Sequence, residues 1–506
     1  MWWAFAAASL ALVVAFLASP GSAGVTSRTT GDAALAGRVA ELLPDGRSAG
    51  GSVGLSVALV ERGRTTRAAL GTTDGSTPVT PDTAFETGSV QKVLTATLLA
   101  ELLEAKKITL TDTLAELWPD VRFADPAVGA ITIRQLATHT AGLPSIPAQD
   151  PAFVRAMAIH LLGGNGYAAL SDPMRTLATL TGVGPGERPS FGYSNLGYAV
   201  LAETLAEVDG RDYGTALRAR VLDPLGMRDT TIRDTAGTPR GAALPHSTAG
   251  VPTVPFTNLP WAAVGTGTWT TSADLVKFLA TGRSPSALTA PTRTHTPLAD
   301  VPDYAKHDGR IGLGWQIWKA AGTSVSWHNG LTNGSRTFVA KTDDGRAVVV
   351  LANSTRTPVE KIGFSLLGIA APEFDEPQSP HPAFIALTLL LAAGAPALVL
   401  AGVVRPRRSR LSRPLDRLKV ISLLVTGAAL SLLSLRIGEW GHVPTVVWPI
   451  GVGLLALAAA ASVRVWHRLP VARGSHTWLR VLTFAVPTLV SGALLCTVTV
   501  ITAQLP

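Results

Sequence analysis

The last quarter of the chain constrains it most. Four apolar stretches follow one another there: Ala383 to Val404, Val420 to Leu435, Val443 to Val463, and Val481 to the C-terminus. A helix needs roughly 20 apolar residues to cross a hydrocarbon core of about 30 Å. Lipid offers the backbone no partners, so such segments must satisfy their own N–H and C=O groups as helices. The second stretch has 16 uncharged residues, about 24 Å at a rise of ~1.5 Å per residue, and needs Lys419 and Arg436 to snorkel. Four spans are therefore expected across residues 383–506, with membrane lipid as their surroundings.

Charge fixes the expected orientation. Of the 12 Lys+Arg in residues 383–506, 11 fall in two segments, Arg405 to Lys419 and Arg464 to Arg480, which the positive-inside rule places in the cytoplasm. The loop with Glu439, Trp440 and His442 then faces out, and so does everything before Ala383. These residues also account for the net charge of +8: they carry +10, leaving −2 for residues 1–382. A nucleic-acid partner thereby loses its main support. The amino end, residues 1–24, is an apolar run followed by small residues around Ala23 and reads as an export signal cleaved there, or as an uncleaved anchor. Export agrees with the orientation drawn from the loops. The single cysteine, Cys496, excludes intrachain disulfides, zinc ribbons and thiol redox pairs. Residues 372–382, with four prolines, read as a stiff linker.

Residues 25–371 form the remaining domain, of mixed pattern. Ser52 to Gly71 alternates β-rich runs around Arg62-Gly63, a hairpin signal. Ser89 to Lys107 has apolar residues at helical spacing and strong helix formers, the clearest helix in the domain. Thr323 to Asn353 reads as two or three strands turning at Asp344-Gly345. Strands at both ends, with helices between, predict a sheet closed by the two termini of the domain.

Chemistry begins at that helix. Ser89 and Lys92 are three residues apart on its first turn and share a face. A serine hydroxyl is a poor nucleophile at neutral pH and needs a base; a buried lysine can become one, because desolvation lowers its pKa. Free N–H groups at the helix start, that of Ser89 among them, can hold an oxyanion. In Phe191 to Gly197, Tyr193 and Asn195 sit on a glycine-flanked turn, where Tyr193 acts as a base if cations depress its pKa and Asn195 offers an amide to a substrate carbonyl. His328 ends a β-like run and is followed by Asn329 and Gly330, the glycine allowing close backbone approach. His139 reads as a structural histidine.

In this order, S-x-x-K, Y-x-N and H-x-G resemble the serine β-lactamase and penicillin-binding protein family, in its branch of class C β-lactamases, DD-peptidases and esterases. Thr132 to Pro144, Asp223 to Thr230, Gly265 to Leu279, Gly312 to Trp315 and Val348 to Asn353 extend the resemblance over residues 30–370. It implies an α+β fold, an antiparallel sheet flanked by helices beside an all-helical region, here followed by a four-helix transmembrane bundle. It also implies an acyl-enzyme on Ser89, with Lys92 and Tyr193 moving protons. Asn195 would orient the substrate, the N–H groups of Ser89 and Leu331 would hold the oxyanion, and His328 would complete the electrostatic wall. No metal or organic cofactor is implied. Where the family has K-T-G, this chain has histidine, with a reference pKa near 6.5, and Asn329 replaces a hydroxyl residue that helps bind a substrate carboxylate. Both changes weaken the case for efficient penicillin hydrolysis. The expected protein is a membrane-tethered, extracytoplasmic serine hydrolase acting on a small molecule or peptidoglycan-derived peptide. An esterase without a wall role and a wall-sensing receptor are the alternatives. The cytoplasmic loops, 15 and 17 residues long, are too short for a signalling domain.

Overall fold

The computed structural model describes residues 15, 28–43, 54–184, 186, 190–248, 250–280, 294–302, 308–320, 322–370, 382–404, 415–440, 442–471 and 477–505. The expected export signal or anchor (apart from Ala15), the expected proline-rich linker up to His381 and much of both basic loops lie outside these residues. The chain divides into two compact units, one built on residues 24–247 and 252–376, the other on 377–506 with short pieces from elsewhere.

In the first unit, alternation of side chains along the strands produces a sheet with two apolar faces. The strands are β1 (Thr29–Gly31), β2 (Gly54–Glu61), β3 (Arg64–Gly71), β4 (Phe85–Glu86), β5 (Thr231–Ile232), β6 (Thr268–Thr270), β7 (Ala299–Asp300), β8 (Arg310–Ile311), β9 (Gln316–Ala320), β10 (Thr323–Leu331), β11 (Arg336–Thr342) and β12 (Ala347–Ala352). Nine form one antiparallel sheet in the order β1-β3-β2-β12-β11-β10-β9-β8-β7, and β4, β6 and β5 form a small second one. The β2–β3 turn is the expected hairpin: Arg62 (φ 51°) and Gly63 (φ 78°) both take left-handed angles, which match the twist of the flanking strands. The expected turn at Asp344-Gly345 joins β11 to β12, and β12 pairs with β2, so the two ends of the domain close the sheet.

Odd and even residues divide cleanly. Ala347, Val349 and Leu351 of β12 and Val339 of β11 enter a core with the helix Gln91–Glu104. Val348, Val350, Phe338, Trp327 and Val325 enter a second core against the helices Ala33–Leu42 and Val359–Leu366. The helix expected from Ser89 begins as a tight turn over Gly88–Val90 and continues to Glu104. Residues 91–100 are all buried, so this helix is a central rod and not a surface helix with one apolar stripe. Two of its threonines bond within the helix: the Thr95 and Thr97 hydroxyls donate to the Gln91 and Val93 carbonyls.

In the second unit, among the described residues, four helices are long and apolar enough to cross a membrane: Pro382–Val404, Arg417–Ile437, Val447–Arg468 and Val481–Ala503. The second runs longer than its uncharged stretch, 21 residues, because Asp416 caps it by accepting from the Lys419 N–H at 2.8 Å. Arg436, expected to snorkel, is buried in the unit, 5% exposed.

Candidate active site

Two glycines let three segments meet. Gly88, at φ 50°, turns the chain into the helix, and a Cβ there would lie 2.8 Å from the Leu331 nitrogen. A Cβ at Gly330 would lie 2.3 Å from Thr337 Oγ1, 2.5 Å from the Thr87 carbonyl and 2.9 Å from the Ser89 nitrogen. Only bare backbone permits this contact. It sets the N–H groups of Ser89 and Leu331 side by side. The pairing of β10 with β9 stops at Trp327, which leaves the Leu331 end of that strand edge uncovered by β9. The Leu331 side chain is exposed, so what it brings to the site is its backbone.

Ser89 is half-buried, and Lys92, one turn on, is completely buried. Lys92 Nζ lies 3.0 Å from Ser89 Oγ and donates to Asn195 Oδ1 at 2.7 Å. Its Nζ sits 4.8 Å from the centre of the Tyr193 ring and 5.8 Å from that of Tyr198. Among the described residues no carboxylate pairs with it, and burial holds the amine well below its ordinary pKa. The i, i+3 spacing read from the sequence thus delivers a desolvated amine, its proton weakly held, against a serine hydroxyl.

The Y-x-N segment is placed by its middle residue. Ser194 caps the helix Asn195–Asp209: its hydroxyl oxygen accepts from the Gly197 N–H at 2.9 Å and its proton goes to the Pro144 carbonyl. Asn195 thereby becomes the first residue of the helix, and Tyr193 stays just outside it. Asn195 Nδ2 donates to the Tyr167 hydroxyl at 3.1 Å, so with Oδ1 on Lys92 the amide has one fixed orientation. Tyr193 is 36% exposed and hydrogen-bonds to Ser89. The expectation that cations depress its phenol fails, for a physical reason. Desolvation pushes the Tyr193 pKa up, and burial also depresses Lys92 and His328, which weakens the two candidate cations that would have lowered it. Burial, aided by Lys92, lowers His328 to about 3. The His328 Nδ1 proton is donated to the Asn329 carbonyl at 2.6 Å, and the ring faces Tyr193 with centroids 6.5 Å apart.

Asn329 corrects the sequence reading. Strand parity sends its side chain to the Trp327 face of the sheet, away from Ser89, where Nδ2 donates to Glu360 at 2.8 Å. Glu360 also pairs at 3.3 Å with Arg336, the residue opposite Leu331 on β11. The structure therefore brings together Ser89, Lys92, Tyr193, Asn195, His328, Gly330 and the Leu331 backbone, but not the Asn329 carboxamide.

Sequence reasoning missed Tyr167, Tyr198 and Glu86. Tyr167 and Tyr198 join the site through contacts that no local pattern announces. Glu86, three residues before Ser89, is a buried carboxyl that accepts from the Thr332 hydroxyl (2.7 Å), the Ser335 hydroxyl (3.2 Å) and the Phe256 N–H (3.2 Å). It ties the turn after Leu331 to the strand before Ser89. Burial raises it to about 7 against those three bonds. A carboxyl raised in the folded state favours folding fully below its unfolded value, and that contribution fades as pH rises through about 7. Glu86→Gln removes this term. The melting temperature of the variant relative to the unmodified chain is expected to rise between pH 5 and pH 8; a difference that stays flat across that range would show that Glu86 does not titrate there.

Comparison with known proteins agrees with this architecture. Residues 34–367 match the family model described as Beta-lactamase. Penicillin-binding protein 4 of Amycolatopsis lactamdurans is 27% identical over 335 residues, 61% of this chain and 84% of that one. The D-alanyl-D-alanine-carboxypeptidase/endopeptidase AmpH of Escherichia coli K12 is 28% identical over 189 residues, 36% of this chain, and the match spans 46% of AmpH. The crystal structure of a class C β-lactamase from Rhodobacter sphaeroides superimposes with a TM-score of 0.51 at 22% identity, covering 63% of this chain and 94% of that one. At that identity the likeness establishes the fold.

Proposed function

The chain belongs to the β-lactamase family of serine hydrolases, and we propose that within it this protein is a membrane-tethered enzyme that cleaves an ester, amide or peptide through an acyl group on Ser89. The observation that carries the reading is Lys92: a buried amine without an acidic partner among the described residues, held between Ser89 Oγ at 3.0 Å and Asn195 Oδ1 at 2.7 Å. Ser89 Oγ attacks the substrate carbonyl carbon, forming the C–O bond while its proton passes to the lone pair of Lys92 Nζ. The carbonyl oxygen takes the negative charge between the N–H groups of Ser89 and Leu331. Tyr193, kept protonated by its raised pKa, gives a proton to the departing nitrogen or oxygen as the carbonyl re-forms, and Lys92 restores it. Water reverses the sequence and releases the acid. Asn195 orients the substrate amide, and His328 closes the wall as a neutral ring.

The same geometry argues about substrate. His328 is neutral, Asn329 is turned away and Arg336 is engaged by Glu360, so none of these three offers an unpaired cation for a substrate carboxylate. A hydrogen bond to a charged group contributes about 1.5–3 kcal/mol, so its loss is worth roughly ten- to a hundredfold. The apolar amino end and the two basic loops support a catalytic unit on the outer side of the membrane, where peptidoglycan-derived peptides are within reach. The test is a panel given to the full chain in detergent: short-chain p-nitrophenyl esters, D-amino acid amides, D-alanyl-D-alanine peptides and penicillins. Esters and amides are expected to exceed penicillins in kcat/KM by about tenfold or more. Penicillin turnover equal to the best ester would overturn the substrate argument, and absence of any turnover would overturn the enzymatic one.

A further inference from the structure

His139 is buried at 2% exposure and takes no part in the proton route, yet three of its contacts converge on one residue. Its carbonyl accepts the Gly192 N–H at 2.8 Å, its ring Nδ1 accepts the Ser194 N–H at 3.1 Å, and its ring lies against that of Tyr193 with centroids 4.5 Å apart. The N–H groups of Gly192 and Ser194, the residues on either side of Tyr193, thus both go to His139. Tyr198, from the first turn of the helix Asn195–Asp209, backs the other contact of the imidazole at 4.8 Å and is itself fixed by donating to the Ala137 carbonyl at 2.9 Å. Because Nδ1 accepts a backbone proton, the ring proton resides on Nε2, which has no hydrogen-bond partner in the structure. His139 also takes a left-handed backbone angle, φ 56°, uncommon away from glycine. A core histidine chosen for packing alone would need no bond from its ring to the backbone beside Tyr193.

We propose that His139 is a positioning residue for the hydrolase reaction, a clamp that holds the Tyr193 hydroxyl against Ser89. The inference rests on the acyl-enzyme reading above. Tyr193 is more than a third exposed and lies outside the helix that orders Asn195, so its own packing leaves it free to swing. Holding the N–H groups of the residues before and after it restrains the backbone at residue 193, and the tilted imidazole packed against its ring restrains the side chain. A displacement of about 1 Å at a reacting group costs on the order of a hundredfold in rate.

The test is a cycle of variants in the full chain, measured as kcat and KM on a p-nitrophenyl ester. His139→Ala is expected to lower kcat about thirty- to a hundredfold with KM within about threefold. His139→Asn keeps an acceptor near the Nδ1 position and tolerates the left-handed angle, while losing the ring contact. It is expected to restore most of the loss, ending about fivefold below the unmodified chain. In a Tyr193→Phe background, which retains the ring and lacks the hydroxyl, both substitutions are expected to cost less than about threefold, because there is no hydroxyl left to misplace. Equal losses in both backgrounds would show a general structural role and overturn the proposal. If His139→Ala does not fold, the His139→Asn arm decides alone: loss of its fivefold effect in the Tyr193→Phe background supports the clamp, and persistence overturns it. Trapping of Ser89 by a phosphonate in the unmodified chain separates failure of the clamp from failure of the acyl-enzyme reading.

Discussion

Ser89→Ala is expected to abolish covalent labelling by an active-site phosphonate and to lower ester turnover by at least about a thousandfold, since removing a nucleophile leaves only binding and the oxyanion site. The fold should persist. Ser89 is half-buried at the start of a helix, its side chain caps nothing, and alanine is a good helix former, so the melting temperature should move by only a few degrees. Labelling followed by intact mass, alongside thermal unfolding, separates the two effects. Full labelling of the alanine variant would remove Ser89 from the chemistry altogether.

Lys92→Met should show activity and stability moving in opposite directions. Methionine approximates the length of the lysine stem and matches the aromatic surroundings of Tyr193 and Tyr198, but it cannot take a proton. Acylation is expected to slow by about a thousand- to ten-thousandfold, the upper range for loss of a positioned base. Stability is expected to hold or rise. A base whose folded pKa is depressed contributes stability above its unfolded value and loses it as pH falls through the folded one, so near neutral pH the buried amine works against folding. The new costs are the Asn195 Oδ1 and Ser89 Oγ acceptors left without their shared donor. The stability gain should therefore widen toward lower pH. Acylation within tenfold of the unmodified chain would assign the base elsewhere.

Much of the framework was legible because its signals are local. The hairpin at Arg62-Gly63 follows from two residues that tolerate left-handed angles. The apolar lengths after residue 382 identify four helices within a few residues of their observed ends, and the error at Arg417–Ile437 arose from counting uncharged residues where a cap at Asp416 decides the start. Asn329 was misread because a three-residue motif does not reveal which face of a strand each side chain occupies; that follows from the partners of Trp327 and His328 on either side of the sheet. Tyr167 and Glu86 were invisible because their partners lie 28 and 246 residues away in sequence.

Sequence alone determined which atoms could react: the hydroxyl and amine one helical turn apart, the phenol and carboxamide in one short turn, the glycine that admits a close strand, and the apolar lengths suited to lipid. Those are properties of neighbouring residues and of side-chain identity. Protonation and aim were decided only by the tertiary structure, because both depend on what surrounds a group in space. Removing water lowers the pKa of Lys92 and of His328, and the same desolvation raises that of Tyr193, which keeps its proton. Contact with His139, 54 residues earlier in the chain, holds that proton against the nucleophile.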